Sequence, residues 1–242
     1  KLYMFDGHEH EEISRSNSRR FWLDDQVYMT SIAGLYSSFT QAMGLRRSCD
    51  EGKVEALAAY GVVHKETYEQ LRNIVRVKDL SFDMDVEAFK QFSEIPYLQA
   101  IRSQIGEKNY CATIQAWLED VVVDYLNEVH ERFGVDTLCL AGGCVANVIM
   151  NYKIYEKTPF KHLHVLPSMG DEGSAAGAAI MVALEGGEDL SWMRDYKMPY
   201  FGPSFQKPAV QEALQSRHGI RYEVIGDIWP ELAAQSISEG RI

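Results

Sequence analysis

The sequence predicts an α/β fold, and its second half supplies the observations behind that prediction. A long helical pattern over 110–133 is followed by an apolar strand over 137–141 and then by a helix over 145–156. A second strand over 162–166 leads into a helix over 172–184 that is built mainly from small residues. Such alternation is typical of helices layered on a parallel sheet. The length of 242 residues allows one large domain or two small ones.

The composition indicates an ordinary soluble globular protein, with 46% hydrophobic residues and a formal net charge of −11. The negative charge argues against a general nucleic-acid binder, because phosphate backbones are held by clustered Lys and Arg. No window approaches the ~18 consecutive apolar residues of a membrane span. The four cysteines show no zinc-ligand spacing, and Cys139 and Cys144, which flank a Gly-Gly turn, are interpreted as buried small side chains. We therefore expect a reduced, cytoplasmic protein.

The first part of the chain predicts irregular structure followed by two short helices. Residues 1–27 are charged and without periodicity. Residues 31–43 repeat apolar positions every three or four residues, which predicts a helix that Gly44 ends. A short Ala-rich helix is predicted over 54–60, introduced by Gly52 and closed by Gly61.

The middle and the end of the chain predict further helices. Residues 64–106 are interpreted as an insertion of helices with a short hairpin, and 110–133 carry one continuous apolar stripe. After Gly186-Gly187 the composition shifts, and a linker, a helix, a strand over 222–225 and a last helix are predicted. The missing initial Met and the ending at Ile242 lead us to expect a piece of a longer protein.

The Gly142-Gly143 turn at the end of the first strand is a candidate ligand site. Glycine lets a ligand approach the backbone, and the following helix start offers N–H groups. A plain strand-to-helix turn explains the same two residues. Asn147 and Asn151 lie one helical turn apart, where either ligand hydrogen bonds or capping would compensate for their poor helix propensity.

Three charged residues are also candidates. Asp171 precedes the small-residue helix, where it either caps the helix or offers a carboxylate to a divalent metal. Lys53 has the charge to neutralise a phosphate and Glu55 to accept from ribose hydroxyls, although a solvated helix face is the alternative. His8 and His10 alternate like metal ligands, but without a third ligand such a pair is typical of a solvated tail.

Taken together and in order, these segments resemble the O-carbamoyltransferases of nodulation-factor and antibiotic tailoring. The motifs that carry the resemblance span residues 30–205. They are Gly34-Leu-Tyr-Ser37 with Thr40 and Gly44, the segment 52–61, Leu140-Ala-Gly-Gly-Cys-Val-Ala-Asn147 with Asn151, Gly170-Asp-Glu-Gly173, and the linker motif Phe201-Gly-Pro-Ser-Phe205.

The resemblance implies an actin-like, sugar-kinase-like (ribonuclease H-like) nucleotide-binding fold, related to the tRNA threonylcarbamoyl transferases. Residues 1–195 would form the C-terminal half of the carbamoyl-transfer domain, with 64–106 inserted. Residues 196–242 would form a linker and the beginning of a YrdC-like domain. The family's paired metal histidines would lie in a preceding half, so we expect this fragment to be inactive alone.

The resemblance also implies a chemistry. Family enzymes form a carbamoyl-adenylate from carbamoyl phosphate and ATP and transfer the carbamoyl group to a hydroxyl of a small-molecule or sugar acceptor. Asp171 would be the catalytic residue, as one ligand of a divalent metal, Fe(II) in type, that acts as a Lewis acid. The implied nucleotide-binding residues are Gly142, Gly143, Asn147 and Asn151 at the adenylate, with Gly52, Lys53, Glu55 and Gly61 around its ribose and phosphate.

Two other functions compete with this one. A threonylcarbamoyl transferase acting on tRNA shares the fold, but the acidic balance and the linker motif speak against it. A non-catalytic actin-like module that binds a nucleotide is the third hypothesis. Self-association into a homo-oligomer stays open.

Overall fold

The chain forms two units, Lys1–Leu190 and Ser191–Ile242, each with its own internal packing. The computed structural model describes residues 1–6, 9–16, 18–23, 26–195 and 202–241. Along the described residues, none of the helices is both long and apolar enough to cross a membrane.

The first unit mixes helices with two-stranded sheets, which confirms the α/β class. Its helices are α1 (Ile32–Ala42), α2 (Glu51–Ala58), α3 (Lys65–Ile74), α4 (Val86–Gln91), α5 (Ile95–Ile105), α6 (Glu107–Phe133), α7 (Val148–Lys157) and α8 (Gly173–Glu185). Its antiparallel pairs are β1 (Leu2–Asp6) with β2 (Glu9–Ser14), β3 (Arg20–Leu23) with β4 (Gln26–Met29), and β5 (Val75–Lys78) with β6 (Ser81–Met84). The parallel pair is β7 (Thr137–Leu140) with β8 (His162–Val165).

The core of the first unit is built around the long helix α6. The Trp117 side chain on α6 is fully buried, and its indole N–H donates to the Leu71 carbonyl oxygen at 3.1 Å. The Phe39 ring on α1 packs edge-on against Trp117, with a centroid distance of 6.1 Å. The helix predicted over 110–133 is confirmed, with its start three residues earlier, and Gly134 ends it at φ +63° in the left-handed region.

The two helices predicted before residue 64 are present with adjusted bounds. Ser31 caps α1, because its side-chain oxygen accepts from the Gly34 N–H at 2.8 Å. Gly44 follows α1 with φ +80°, as its predicted stop requires. The expectation that Gly52 precedes α2 is wrong, since α2 begins at Glu51 and contains Gly52 in its first turn.

Gly61 is required by close packing, which makes a prediction about stability. A Cβ atom at residue 61 would lie 1.9 Å from the carbonyl oxygen of Lys108, at the start of α6. We expect Gly61→Ala to lower the free energy of unfolding by about 1–3 kcal/mol, because backbone must move to make room. Urea unfolding followed by circular dichroism measures the change.

Gly52→Ala is the matched control. A Cβ at residue 52 meets nothing within 4 Å, and the residue is helical, so alanine is expected to raise stability by about 0.5–1 kcal/mol. Equal losses in the two variants would contradict the packing explanation for Gly61.

Residues 64–106 form the predicted helices and hairpin, namely α3, β5, β6, α4 and α5. Their apolar side chains enter the same core as α6, with Leu71, Phe89 and Leu98 buried. His64 caps α3 by accepting from the Thr67 N–H. The interpretation of this stretch as an insertion stays a prediction.

The expectation of irregular structure over 1–27 is wrong, because the segment forms the hairpins β1–β2 and β3–β4. The strand signal is weak in the sequence, because charged residues occupy much of these strands; β2, for example, reads Glu-His-Glu-Glu-Ile-Ser. His10 lies exposed on β2 and stacks on the Phe5 ring at a centroid distance of 5.7 Å. His8 lies outside the described residues.

The second unit contains α9 (Lys207–Gln215) and α10 (Trp229–Ser238). The strand predicted over 222–225 is wrong, since this segment is irregular. A strand requires a partner for its backbone N–H and C=O groups, and the described part of this unit offers no other strand. Phe201 of the linker motif lies outside the described residues.

Candidate functional site

The parallel strands β7 and β8 bring the two predicted turns to one edge of their sheet. Leu140 pairs with Val165, so the carboxyl ends of both strands are adjacent. The Gly142 N–H donates to the Met169 carbonyl oxygen at 2.6 Å, which joins the Gly-Gly turn to the acidic loop. The two candidate turns therefore lie side by side at this edge.

The Gly-Gly turn is open toward solvent. Gly142 has φ +107°, a conformation that L side chains rarely adopt, and both glycines are exposed. A Cβ atom at Gly142 or Gly143 would meet nothing within 4 Å, so the turn leaves room for a molecule beside its backbone. The Met169 carbonyl oxygen occupies the Gly142 N–H. The expectation of free N–H groups at the following helix start is wrong for Ile149 and Met150, whose N–H groups donate to Glu55 Oε1 and Asn147 Oδ1.

Asn147 caps the helix that follows the turn. The chain makes one 3-10 turn over Gly143–Ala146 before α7 begins at Val148. The Asn147 Oδ1 accepts from the Met150 N–H at 2.8 Å, so the capping alternative is realised for this residue. The predicted helix over 145–156 accordingly starts three residues later.

Asn151 lies one turn further along α7. Its Nδ2 donates to the Val145 carbonyl oxygen at 2.8 Å. Its Oδ1 is buried and accepts no hydrogen bond from the described residues. A buried acceptor without a donor costs free energy, so this atom is suited to accept from a bound molecule.

Glu55 reaches the same helix end from α2. Its side chain is 9% exposed, and its Oε1 accepts from the Ile149 N–H at 3.0 Å. A carboxylate in this position is favoured by the positive end of the helix dipole. Glu55 therefore contacts the first turn of α7 directly.

Lys53 and Gly61 make other contacts. The Lys53 side chain is 62% exposed and its Nζ lies 3.0 Å from Asp50 Oδ1, in an ion pair of the kind that contributes little to stability. The Arg46 N–H and the Lys53 ammonium hold the pKa of the Asp50 carboxyl below its usual range. Gly61 packs on the start of α6 at Lys108, as described above.

A buried polar network lies behind Asn147. The Gln115 Oε1 accepts from the Tyr36 hydroxyl and from Asn147 Nδ2, both at 2.9 Å. The Gln115 Nε2 donates to Asn147 Oδ1 at 3.0 Å and to Glu119 Oε1 at 2.9 Å. All four residues are buried. Sequence reasoning missed this network, although Gln115 and Glu119 stand four residues apart among the apolar positions of α6 and are a usable signal.

Burial affects the titration of the network and of the turn. Burial raises the pKa of the Glu119 carboxyl, and the hydrogen bond from Gln115 and the charge of Lys153, whose Nζ lies 3.9 Å away, act in the opposite direction. Burial also raises the pKa of the Tyr36 hydroxyl far above its usual range. Burial raises the pKa of the Cys144 thiol to about 11, so this thiol is neutral at pH 7.

The expectation of a buried Cys139 is wrong, because this side chain is exposed. Cys139 and its partner His164 share the face of the β7–β8 pair that the first unit leaves uncovered. Helix α8 is similarly uncovered: none of its residues is buried, and Val182 is 69% exposed.

Asp171 lies exposed in the loop after β8 and does not cap α8. That helix begins at Gly173 with Glu172 before it, and the Glu172 carboxylate accepts from the Gly170 N–H at 3.2 Å. Within the described residues the Asp171 carboxylate forms neither a hydrogen bond nor an ion pair, so its oxygens are available. No group of three or more His, Cys, Asp or Glu in the described parts of the chain could hold one metal ion. Among the described residues, Asp171 therefore offers a metal ion one carboxylate ligand, without the two further ligands that such a group would supply.

Fold and site together define a mixed α/β protein with a glycine turn and an acidic turn at the carboxyl edge of two parallel strands. The chain belongs to the carbamoyltransferases: the family model described as carbamoyltransferase N-terminus matches residues 7–180. The resemblance inferred from the motifs is thereby confirmed.

Individual relatives agree with this family. An uncharacterized protein of Methanocaldococcus jannaschii is 43% identical over 249 residues, which cover 100% of this chain and 41% of that protein. The nodulation protein NolNO of Sinorhizobium fredii is 29% identical over 206 residues, covering 80% of this chain and 29% of its own. The nodulation protein U of the same organism is 36% identical over 100 residues, which cover 39% of this chain and 17% of that protein. The chain therefore spans less than half of the length of these relatives.

Proposed function

We propose that this chain is the second half of the actin-like transfer domain of an O-carbamoyltransferase. The enzyme forms a carbamoyl-adenylate from carbamoyl phosphate and ATP and transfers the carbamoyl group to a hydroxyl of a small-molecule or sugar acceptor. Family membership supports the reaction class. The observation that carries the site assignment is the Gly142 N–H to Met169 carbonyl hydrogen bond, which places the open glycine turn beside the acidic loop.

In this proposal the adenylate lies against the glycine turn. Gly142 and Gly143 present backbone without side-chain bulk, which suits close approach of a phosphate. Asn151 Oδ1 accepts a hydrogen bond from the nucleotide, because it is buried and free of other donors in the described residues. Asn147 is proposed to contact the adenylate through its amide nitrogen. Its Oδ1 and the Glu55 carboxylate hold the first turn of α7 by accepting from the Met150 and Ile149 N–H groups.

Gly52, Lys53 and Gly61 are proposed to surround the ribose and phosphate. The charge of Lys53 is usable for this purpose, because its exposed ion pair with Asp50 is weak and can be exchanged for a phosphate contact. The other two residues are glycines with different surroundings. A Cβ atom at Gly52 would meet nothing within 4 Å, whereas Gly61 packs tightly against the backbone of Lys108.

Asp171 is proposed to supply one ligand to a divalent metal of the Fe(II) type. An exposed carboxylate without other partners fits that role, and further ligands have to come from outside the described residues. When bound, such a metal supplies Lewis acidity toward the transferring carbonyl group.

A transfer assay on the complete protein tests the function. Incubation with ¹⁴C-carbamoyl phosphate, ATP and Fe(II) is expected to release pyrophosphate and to label hydroxyl acceptors from a panel of sugars. Label appearing on tRNA in the presence of threonine, with no labelled sugar, would favour the threonylcarbamoyl transferase. ATP binding without pyrophosphate release would favour a non-catalytic module.

A further inference from the structure

Gln115 is a buried amide whose hydrogen-bonding capacity is completely used. It lies in the middle of α6 and is 3% exposed. Its oxygen accepts two hydrogen bonds, from Tyr36 and Asn147, and its nitrogen donates two, to Asn147 and Glu119. A primary amide has two acceptor positions and two protons, so none remains. A fully bonded buried amide is held in one orientation.

The orientation of Asn147 is determined by this neighbour. Asn147 Oδ1 accepts from both the Met150 N–H and Gln115 Nε2. If the Asn147 amide were reversed, its NH₂ group would face these two donors, and both hydrogen bonds would be lost. In the observed orientation Nδ2 gives one proton to Gln115 Oε1 at 2.9 Å. Its second proton makes no hydrogen bond within the described residues and remains for a ligand.

We propose that Gln115 is a positioning residue for nucleotide binding, which acts by fixing the Asn147 amide with its second Nδ2 proton directed to the ligand. This inference rests on the proposed function, since it assumes that Asn147 contacts the adenylate. Gln115 itself stays behind Asn147 and contacts Tyr36 and Glu119 instead. The two amides form a reciprocal pair, with each one donating to and accepting from the other.

A purely structural role makes a different prediction. If Gln115 only filled the core, its replacement would lower stability and leave nucleotide affinity unchanged in the molecules that remain folded. If it acts through Asn147, its effect on affinity disappears once Asn147 is removed, since residues that share one interaction are not additive.

The experiment is a double-mutant cycle on the complete protein. Gln115→Ala, Asn147→Ala and the double variant are titrated with the ATP analogue AMP-PNP by calorimetry, and the binding event that Asn147→Ala weakens is followed. We expect each single variant to lose about tenfold in affinity, as for one lost hydrogen bond in a buried site. The double variant is expected to bind no more weakly than Asn147→Ala alone.

Two further variants separate positioning from folding. Gln115→Leu keeps most of the side-chain volume but cannot donate to Asn147 Oδ1, so it is expected to weaken binding as much as Gln115→Ala. Tyr36→Phe removes one hydrogen bond from Gln115 Oε1 without touching Asn147 and is expected to change affinity by less than threefold. Thermal unfolding identifies variants that are not folded, and Gln115→Met replaces Gln115→Ala if the alanine variant is not.

The inference is overturned if losses in the double variant multiply, or if Gln115 variants bind normally while Asn147→Ala does not. In either case the proposed function stands. If Asn147→Ala also binds normally, the inference fails together with the role of Asn147, and the labelled-carbamoyl assay still decides the reaction separately.

Discussion

Asp171→Asn is expected to remove bound divalent metal from the complete protein and to lower carbamoyl transfer by about 10²–10³-fold. The asparagine keeps the shape of the side chain but removes its negative charge, which makes the oxygen a weaker ligand for a divalent cation. The fold is expected to tolerate the change, because the Asp171 carboxylate is exposed and makes no hydrogen bond or ion pair within the described residues. Stability should change by less than about 0.5 kcal/mol.

Metal content by plasma mass spectrometry and turnover of ¹⁴C-carbamoyl phosphate measure the two effects separately. Asp136→Asn is the matched control, since it removes an exposed carboxylate at the opposite end of β7, where Asp136 pairs with Lys161 at 2.8 Å. The control variant should keep both metal and activity. Metal content and turnover at wild-type levels in Asp171→Asn would refute the assignment of this residue.

The edge of the parallel pair could be predicted because local sequence signals agree there. Strand β7 is short and largely apolar, and β8 alternates histidine with Leu and Val. Glycines follow β7, and parallel pairing places both carboxyl ends together. The glycine turn and the acidic loop can each be predicted from neighbouring residues in the sequence, without information about the rest of the fold. Their adjacency is confirmed by the hydrogen bond between Gly142 and Met169.

The partners of the site residues could not be predicted, because they depend on contacts that are distant in sequence. Glu55 bonds the Ile149 N–H across 94 positions, and Gln115 bonds Asn147 across 32. Such pairs are set by the packing of α2 and α7 on α6. The position of Asn147 after the glycine turn marks it as a functional candidate, whereas no local sequence signal pairs Gln115 with it.

The prediction of strands was wrong at segments where the availability of a pairing partner, rather than the composition, determines whether a strand forms. The 222–225 segment has strand-like residues but finds no neighbouring strand among the described residues of its unit. The first hairpin forms although its sequence is charged, because β1 and β2 pair the backbone N–H and C=O groups of each other. Such a pair forms with few apolar side chains packed against it.

Trp117→Ala is expected to lower the free energy of unfolding by about 3–5 kcal/mol, through the cavity left by the indole ring. The Leu71 carbonyl oxygen also loses the indole N–H, which adds about 1 kcal/mol. These losses are comparable with the whole stability of an ordinary domain, about 5–15 kcal/mol. Urea unfolding followed by far-ultraviolet circular dichroism measures the change independently of the lost tryptophan fluorescence.

Two variants test whether the position of Trp117 on α6, rather than the loss of any tryptophan, causes this effect. Trp117→Phe keeps an aromatic ring against Phe39 and loses the hydrogen bond, so a smaller loss of about 1–3 kcal/mol is expected. Trp229→Ala removes a side chain that is 61% exposed, and it should change stability by less than about 0.5 kcal/mol. Because Trp117 holds the helix that carries Gln115, Trp117→Ala is expected to weaken nucleotide binding only as far as it unfolds the protein. Equal destabilisation by Trp117→Ala and Trp229→Ala would contradict a core centred on α6.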